Sequence, residues 1–126
     1  MFALEHNWSF VVHLADGSQR EYLIPAGYQF DGASVPAILQ RIFGASGYSA
    51  FGLHIAAALE HDFLCEIGAG GSVWLRRQFS GSLPAKISSR DTHAHFARRL
   101  REDGVRPGQA AVMAAAVKWF GPRWKL

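Results

Sequence analysis

The residues best equipped for chemistry are the pair His61-Asp62, in the stretch Glu60 to Cys65 inside the otherwise apolar run from Phe51 to Ile67. Charged side chains enter a core only when they are paired or functional. An imidazole can serve as base or metal ligand near neutral pH, and an adjacent carboxylate can hold a hard cation. At about 100° per residue on a helix, His54, Ala58, His61 and Cys65 share one stripe, and Asp62 points away alongside Phe51 and Ile55. A second histidine, His93, falls on the apolar stripe of a later helix with Phe96, Ala97 and Leu100. Asp91, His95, Arg98 and Glu102 take the opposite, solvent side of that helix. Two antiparallel helices joined by a long loop bring His61, Asp62 and His93 together. As a catalytic set, His61 is a base that activates water, Asp62 binds a cation and His93 orients the base or adds a ligand. As a structural set, the three form a hydrogen-bonded cluster that fixes helix register. Spacing alone leaves both open.

Other candidates are weaker. A zinc site on His54, His61 and Cys65 has a sound i, i+4 pair, but His54 lies two turns from His61 and no H-E-x-x-H pattern exists. Cys65 sits one turn from His61, yet a buried cysteine usually behaves as a small apolar residue. Asp31 and Ser34 lie in the turn Asp31-Gly32-Ala33-Ser34-Val35-Pro36. Ser34 suits a helix N-cap, and Asp31 can offer a carboxylate to a hard cation such as calcium, so Asp31 and Asp62 are the candidate metal ligands. Trp74 and Arg76 belong to an aromatic and basic stretch, Val73 to Phe79, suited to a lid, a partner contact or a membrane interface.

The elements that must position these groups are legible from periodicity. Trp8 to Ala15 alternates, with Trp8, Phe10, Val12 and Leu14 on one face; Asp16-Gly17 gives a two-residue turn, and Arg20 to Ile24 returns. Pro25-Ala26-Gly27 breaks that strand, and Tyr28-Gln29-Phe30 resumes it. A helix from about Pro36 to Phe43 stops at Gly44. Residues 49–67 have apolar side chains on every face, which marks a central enclosed helix ending at Gly68. Residues 69–88 form an arm with a short strand at 73–79. Ser88 or Ser89 caps the next helix, which runs to about Asp103. The last helix spans Pro107 to Phe120, with Val112, Met113, Ala116, Val117 and Phe120 inward and Lys118 outward. The expected architecture is a single α+β domain over 1–126: an N-terminal β-hairpin or small antiparallel sheet packed on three to four helices.

Composition narrows the function classes. The chain has 126 residues, 49% of them apolar, enough for one modest core. No apolar run reaches the ~20 residues of a spanning helix, and no signal peptide is visible at Met1 to His6. The single cysteine excludes an internal disulfide and suits the cytoplasm or a virion. A formal charge of +3 gives no strong nucleic-acid signal, because nucleic acid calls for a denser basic face.

Ile24 to Pro36, reading IPAGYQFDGASVP, resembles the signature of a small domain of unknown function found widely in tailed phages and prophages. That domain continues with an apolar helix ending in HD-x-LY, matched by His61-Asp62-Phe63-Leu64-Cys65 with Cys65 at the tyrosine place. Its next helix, SR-x-EAD-x-x-F then GV, is matched by Ser89 to Phe96 and Gly104-Val105, with His93 where the family has Asp. The resemblance covers residues 8–121, interrupted by an insertion at about 70–86. It implies a phage- or prophage-derived accessory protein whose partners are virion proteins or a host protein. The paired helices are in turn similar to the catalytic hairpin of secretory phospholipases of the A type. That similarity implies a metal-assisted ester or lipid hydrolase, working or vestigial, with His61 as base, Asp62 as calcium ligand and His93 in the orienting place. The glycine-rich calcium loop and the cysteines of those enzymes are absent, and an imidazole stabilises a developing imidazolium far less than a carboxylate does. A non-catalytic virion or tail component, or a small inhibitor of a host protein, is the alternative.

Overall fold

Alternating burial builds the N-terminal sheet. The computed structural model describes residues 2–30, 55–120 and 123–124. Strands β1 (Phe2–Ala3), β2 (Trp8–His13), β3 (Gln19–Ile24) and β4 (Gln29–Phe30) precede helices α1 (Ile55–Gly68), α2 (Val73–Gln78), α3 (Ser89–Glu102) and α4 (Pro107–Phe120). This is the expected α+β arrangement. β2 and β3 form an antiparallel hairpin in which Phe10 opposes Tyr22 and Val12 opposes Arg20. Phe10, Val12, Tyr22 and Ile24 are buried, and the Phe10 and Tyr22 rings stack at 5.6 Å.

Two details of the sheet differ from expectation. The hairpin loop is not a two-residue turn: His13 and Gln19 are the last pair, and Leu14 N–H donates to Ser18 O at 2.9 Å across a five-residue loop. Asp16 stabilises that loop by accepting from the Ser18 hydroxyl and from the Ser18 amide at 2.8 Å, which together hold its carboxyl below the usual range. Nor does Tyr28–Phe30 resume β3. Ala3 opposes Gln29 in a separate two-stranded sheet, β1 with β4, because Pro25 and Gly27 turn the chain back toward Leu4; the Gly27 amide donates to Leu4 O at 2.8 Å.

α1 is enclosed on most sides, with Ala57, Leu59, Phe63 and Leu64 all buried. It packs against α3, which also packs against α4 and β2. The helix expected over 36–43 lies outside the described residues, as do residues 49–54, including His54. Val73 to Gln78 is a helix rather than a strand. Ser72 caps it by accepting from the Leu75 amide, and only Leu75 is buried, so a single anchoring side chain suits one helical turn better than an alternating strand. α3 is capped by Ser88, which accepts from the Asp91 amide at 3.0 Å. It ends in a Schellman motif, with Val105 N–H donating to Leu100 O and Gly104 at φ +81°. On α4, Met113, Ala116 and Val117 are buried, but Val112 is 41% exposed. The α3 contact faces the 113–117 edge and leaves Val112 about 100° away from it.

Trp124 closes back on this core. Trp124 donates its indole N–H to Ile87 O at 2.7 Å, and its ring occupies the space a Cβ on Gly68 would need. Gly68→Ala should therefore destabilise the fold by about 2 kcal/mol through overpacking. Urea unfolding checks this: the cost should largely vanish in a Trp124→Ala background, and an equal cost in both backgrounds would refute the seating of the ring.

Candidate functional site

Three consecutive side chains on α1 point in three directions, and each meets a different element. Glu60 faces the hairpin and α3. Its Oε2 accepts the Trp8 indole N–H at 2.8 Å, its Oε1 accepts from His95 Nε2 at 2.7 Å, and Arg99 Nε lies 3.3 Å away. Glu60 is 1% exposed and His95 4%. His95 is thus buried, not on the solvent side as its helical phase suggested. The hairpin covers that flank of α3, and the Phe10 ring lies 5.5 Å from the imidazole. His95 and Arg99 are one turn apart, so both reach the same carboxylate.

His61 turns into the seam between α1 and α3. Its Nε2 lies 2.9 Å from His93 Nδ1, and the ring is 5.1 Å from that of Phe96. One nitrogen of the pair must donate and the other accept, which neutral imidazoles satisfy. Burial, reinforced by His93 and His95, pushes the His61 pKa down from 6.5 to about 3. Cys65 Sγ sits 3.6–3.7 Å from both His61 ring nitrogens. Burial, with Asp62 nearby, pushes the Cys65 thiol up to about 12, so it stays protonated.

Asp62 is half-buried and faces the β1–β4 side. The Tyr28 hydroxyl lies 2.9 Å from Asp62 Oδ2 and 2.7 Å from Glu66 Oε2, and its single proton serves one carboxylate at a time. Burial, followed by these two acids, raises the Tyr28 pKa. Trp74, 39% exposed, lies 6.5 Å ring to ring from Tyr28, and Arg76 is exposed on the same short helix. Among the described residues, no group of three or more His, Cys, Asp or Glu side chains is placed to hold a metal ion. The described residues therefore do not supply a calcium shell around Asp62; Asp31 and Ser34 lie outside them. The structure brings His61 and His93 together, and sends Asp91 elsewhere: its Oδ1 accepts from the Ala15 amide at 3.2 Å.

Access comes from the far side of α3. A cleft of about 550 Å³ between α3 and α4 is lined by His93 but not by His61 or Asp62, and His61 is only 1% exposed.

A family described as "Protein of unknown function (DUF1353)" matches residues 5–117. The chain belongs to this family. It is also 28% identical, over its full 126 residues, to "Uncharacterized protein y4jT" of Sinorhizobium fredii (strain NBRC 101917 / NGR234). The chain spans 30% of that relative's length. No solved structure matches the chain. Within this DUF1353 domain, the polar residues that the sequence reading missed are Trp8, Tyr28, Glu60, Glu66, His95 and Arg99. The available signals were Glu60 inside an apolar run and the one-turn spacing of His95 and Arg99.

Two outcomes follow. Glu60→Ala should cost about 3–5 kcal/mol, because the buried His95 and Trp8 donors and the Arg99 guanidinium lose their shared partner; denaturant unfolding measures it, and a cost below about 1 kcal/mol would refute the role. The depressed His61 pKa sets a pH dependence. The unfolded chain takes up a proton below about pH 6.5 and the folded one does not, so this contribution is complete above 6.5. It is then lost toward pH 3 at up to about 1.4 kcal/mol per unit. Urea unfolding between about pH 7 and pH 5 should show a shallower slope in His61→Gln than in wild type.

Proposed function

We propose that this domain is a phage- or prophage-derived accessory protein that works by interaction, and that its Glu60-His61-Asp62 triplet is a lock holding hairpin and helices together. The supporting observation is His61 itself. It is 1% exposed, its Nε2 is engaged by His93, and burial keeps it neutral. A general base must reach the proton it abstracts, directly or through one water. The phage link rests on the PAG-x-x-x-DGASVP and HD-x-L patterns at 25–36 and 61–64. A virion component, acting in the cytoplasm or in the particle, or a small inhibitor of a host protein fits this role.

One observation favours the hydrolytic alternative. In the phospholipase-like arrangement the base is oriented through a group on the antiparallel helix, and His61 Nε2 meets His93 in that place. There His61 would be the base, Asp62 a calcium ligand and His93 the orienting residue. An imidazole in that place supports a developing imidazolium poorly.

The discriminating assay offers a short-chain nitrophenyl ester and mixed phosphatidylcholine–phosphatidylglycerol vesicles, each with millimolar calcium, to wild type, His61→Gln and His93→Asp. We expect no turnover above the His61→Gln background in wild type. Activity appearing only in His93→Asp identifies a vestigial centre, in keeping with the lock. Wild-type turnover that vanishes in His61→Gln would overturn the proposal.

A further inference from the structure

We propose that the cleft between α3 and α4 binds a small amphiphilic oxyanion, a negatively charged head carrying a short apolar tail. This does not depend on whether the His61–His93 pair turns anything over. The volume of about 550 Å³ falls within the range of roughly 300–1,000 Å³ that small-ligand sites occupy.

Charge defines one end. Arg90 stands in the first turn of α3, Lys118 in the last turn of α4, and Arg123 just beyond, and all three line the cleft. The antiparallel hairpin brings these chain ends together. Arg123 is held there because its Nη2 donates to Lys118 O at 3.1 Å and Trp119 O at 3.4 Å. Among the described residues, no acidic side chain lines the cleft. Among the described residues, carboxylates pair with His95, Arg98 and Arg99, and with none of these three cations. These three like charges share one cleft with no carboxylate among its described lining residues, and a bound oxyanion offsets their mutual repulsion.

The floor is apolar. Ala94, Ala97, Ala114 and Ala115 form it, with His93 beside them. A second hollow of about 320 Å³ shares Ala97 and Ala114 and runs on toward Val105, Pro107 and Ala110. From Arg90 to Arg101 the groove extends about 16 Å at the rise of a helix. A head at the Arg90–Lys118 end therefore places its tail over the alanines, where burial of each methylene contributes about 0.8 kcal/mol. A bare inorganic anion leaves this floor uncovered, and a neutral alcohol leaves the cations unpaired.

Calorimetry on the intact protein with octyl phosphate, octanoate, inorganic phosphate and octanol tests the assignment. The changing fluorescence of Trp124, whose ring lies 6.3 Å from that of His93, gives a second readout. Either octyl anion should bind about tenfold or more tighter than inorganic phosphate and than octanol. Whichever octyl anion binds tighter identifies the head as phosphate or carboxylate. Arg90→Gln combined with Lys118→Gln should weaken it about tenfold. Ala94→Leu should do the same by filling the floor; Ala94 is exposed, so circular dichroism should find the fold intact. Arg106→Gln, exposed and outside the cleft, should leave affinity unchanged. Octanol binding as tightly as the anions, phosphate binding as tightly as octyl phosphate, affinity surviving both cleft variants, or no binding at millimolar octyl anion would each overturn the proposal.

Discussion

The carboxylate of Glu60 is the constraint around which the other parts are arranged. A carboxyl group at 1% exposure is tolerable only when partners replace the water it has lost. Here the donors come from two other elements: the Trp8 indole on β2, and the His95 imidazole and Arg99 guanidinium on α3. Trp8 and His95 donate one hydrogen bond to each oxygen, and the Arg99 guanidinium adds its charge 3.3 Å away. Sliding or rotating α1 by one residue would strand the charge, so α1 has one admissible rotation against the hairpin and α3. The surrounding apolar core supplies most of the stability, whereas the carboxylate selects which packing that core adopts.

With α1 held in that rotation, the next two residues have no choice of direction. His61 is carried about 100° around the helix into the α1–α3 seam, where His93 is the facing polar group. Asp62 is carried a further 100° to the Tyr28 hydroxyl. The two polar contacts on α3 therefore differ in kind although they lie one residue apart on α1. Glu60 and His95 join a carboxylate to an imidazole on the hairpin flank, and His61 with His93 joins two ring nitrogens in the seam. The imidazoles of His93 and His95 both oppose a positive charge on His61, adding to the effect of burial. A carboxylate at position 93 would act in the opposite sense, holding a proton on His61. The histidine at that place thus changes the electrostatic character of the seam while preserving its hydrogen bond.

Much of this was legible because the relevant signals are local. The alternation of Trp8 to Leu14 fixes the hairpin face, and the apolar surround of residues 55–67 marks an enclosed helix. A serine and a glycine bracket α3. The phases of His61 and His93 suffice to set them facing each other once the helices are antiparallel. What was not legible depends on a third body. His95 reads as solvent-facing on a helix judged by one stripe, but α3 is covered from two sides, by α1 with α4 and by β2, so its buried arc is wider than a stripe. Glu60 could be recognised as buried, yet its partners lie 52 and 35 residues away, beyond any periodicity. Residues 73–79 mix β-branched, aromatic and basic side chains, and there local propensity yields to one capping serine and one anchoring leucine.

The same packing explains why a cleft exists between α3 and α4. The hairpin of helices buries Phe96 and Leu100 from one side and Met113 and Val117 from the other, and these large side chains set the separation of the two axes. Along the outer edge the facing positions are alanines, too short to span that separation. The space is left open by side-chain size, not by any irregularity of the backbone. Trp124, seated on Gly68 and bonded to Ile87 O, lies 6.3 Å ring to ring from His93, and Arg123, drawn back to the α4 carbonyls, delivers a cation to the rim. Gly68 is therefore coupled to the cleft although it lies on another helix. Its missing side chain is what lets the Trp124 ring seat there, next in sequence to the Arg123 that lines the cleft.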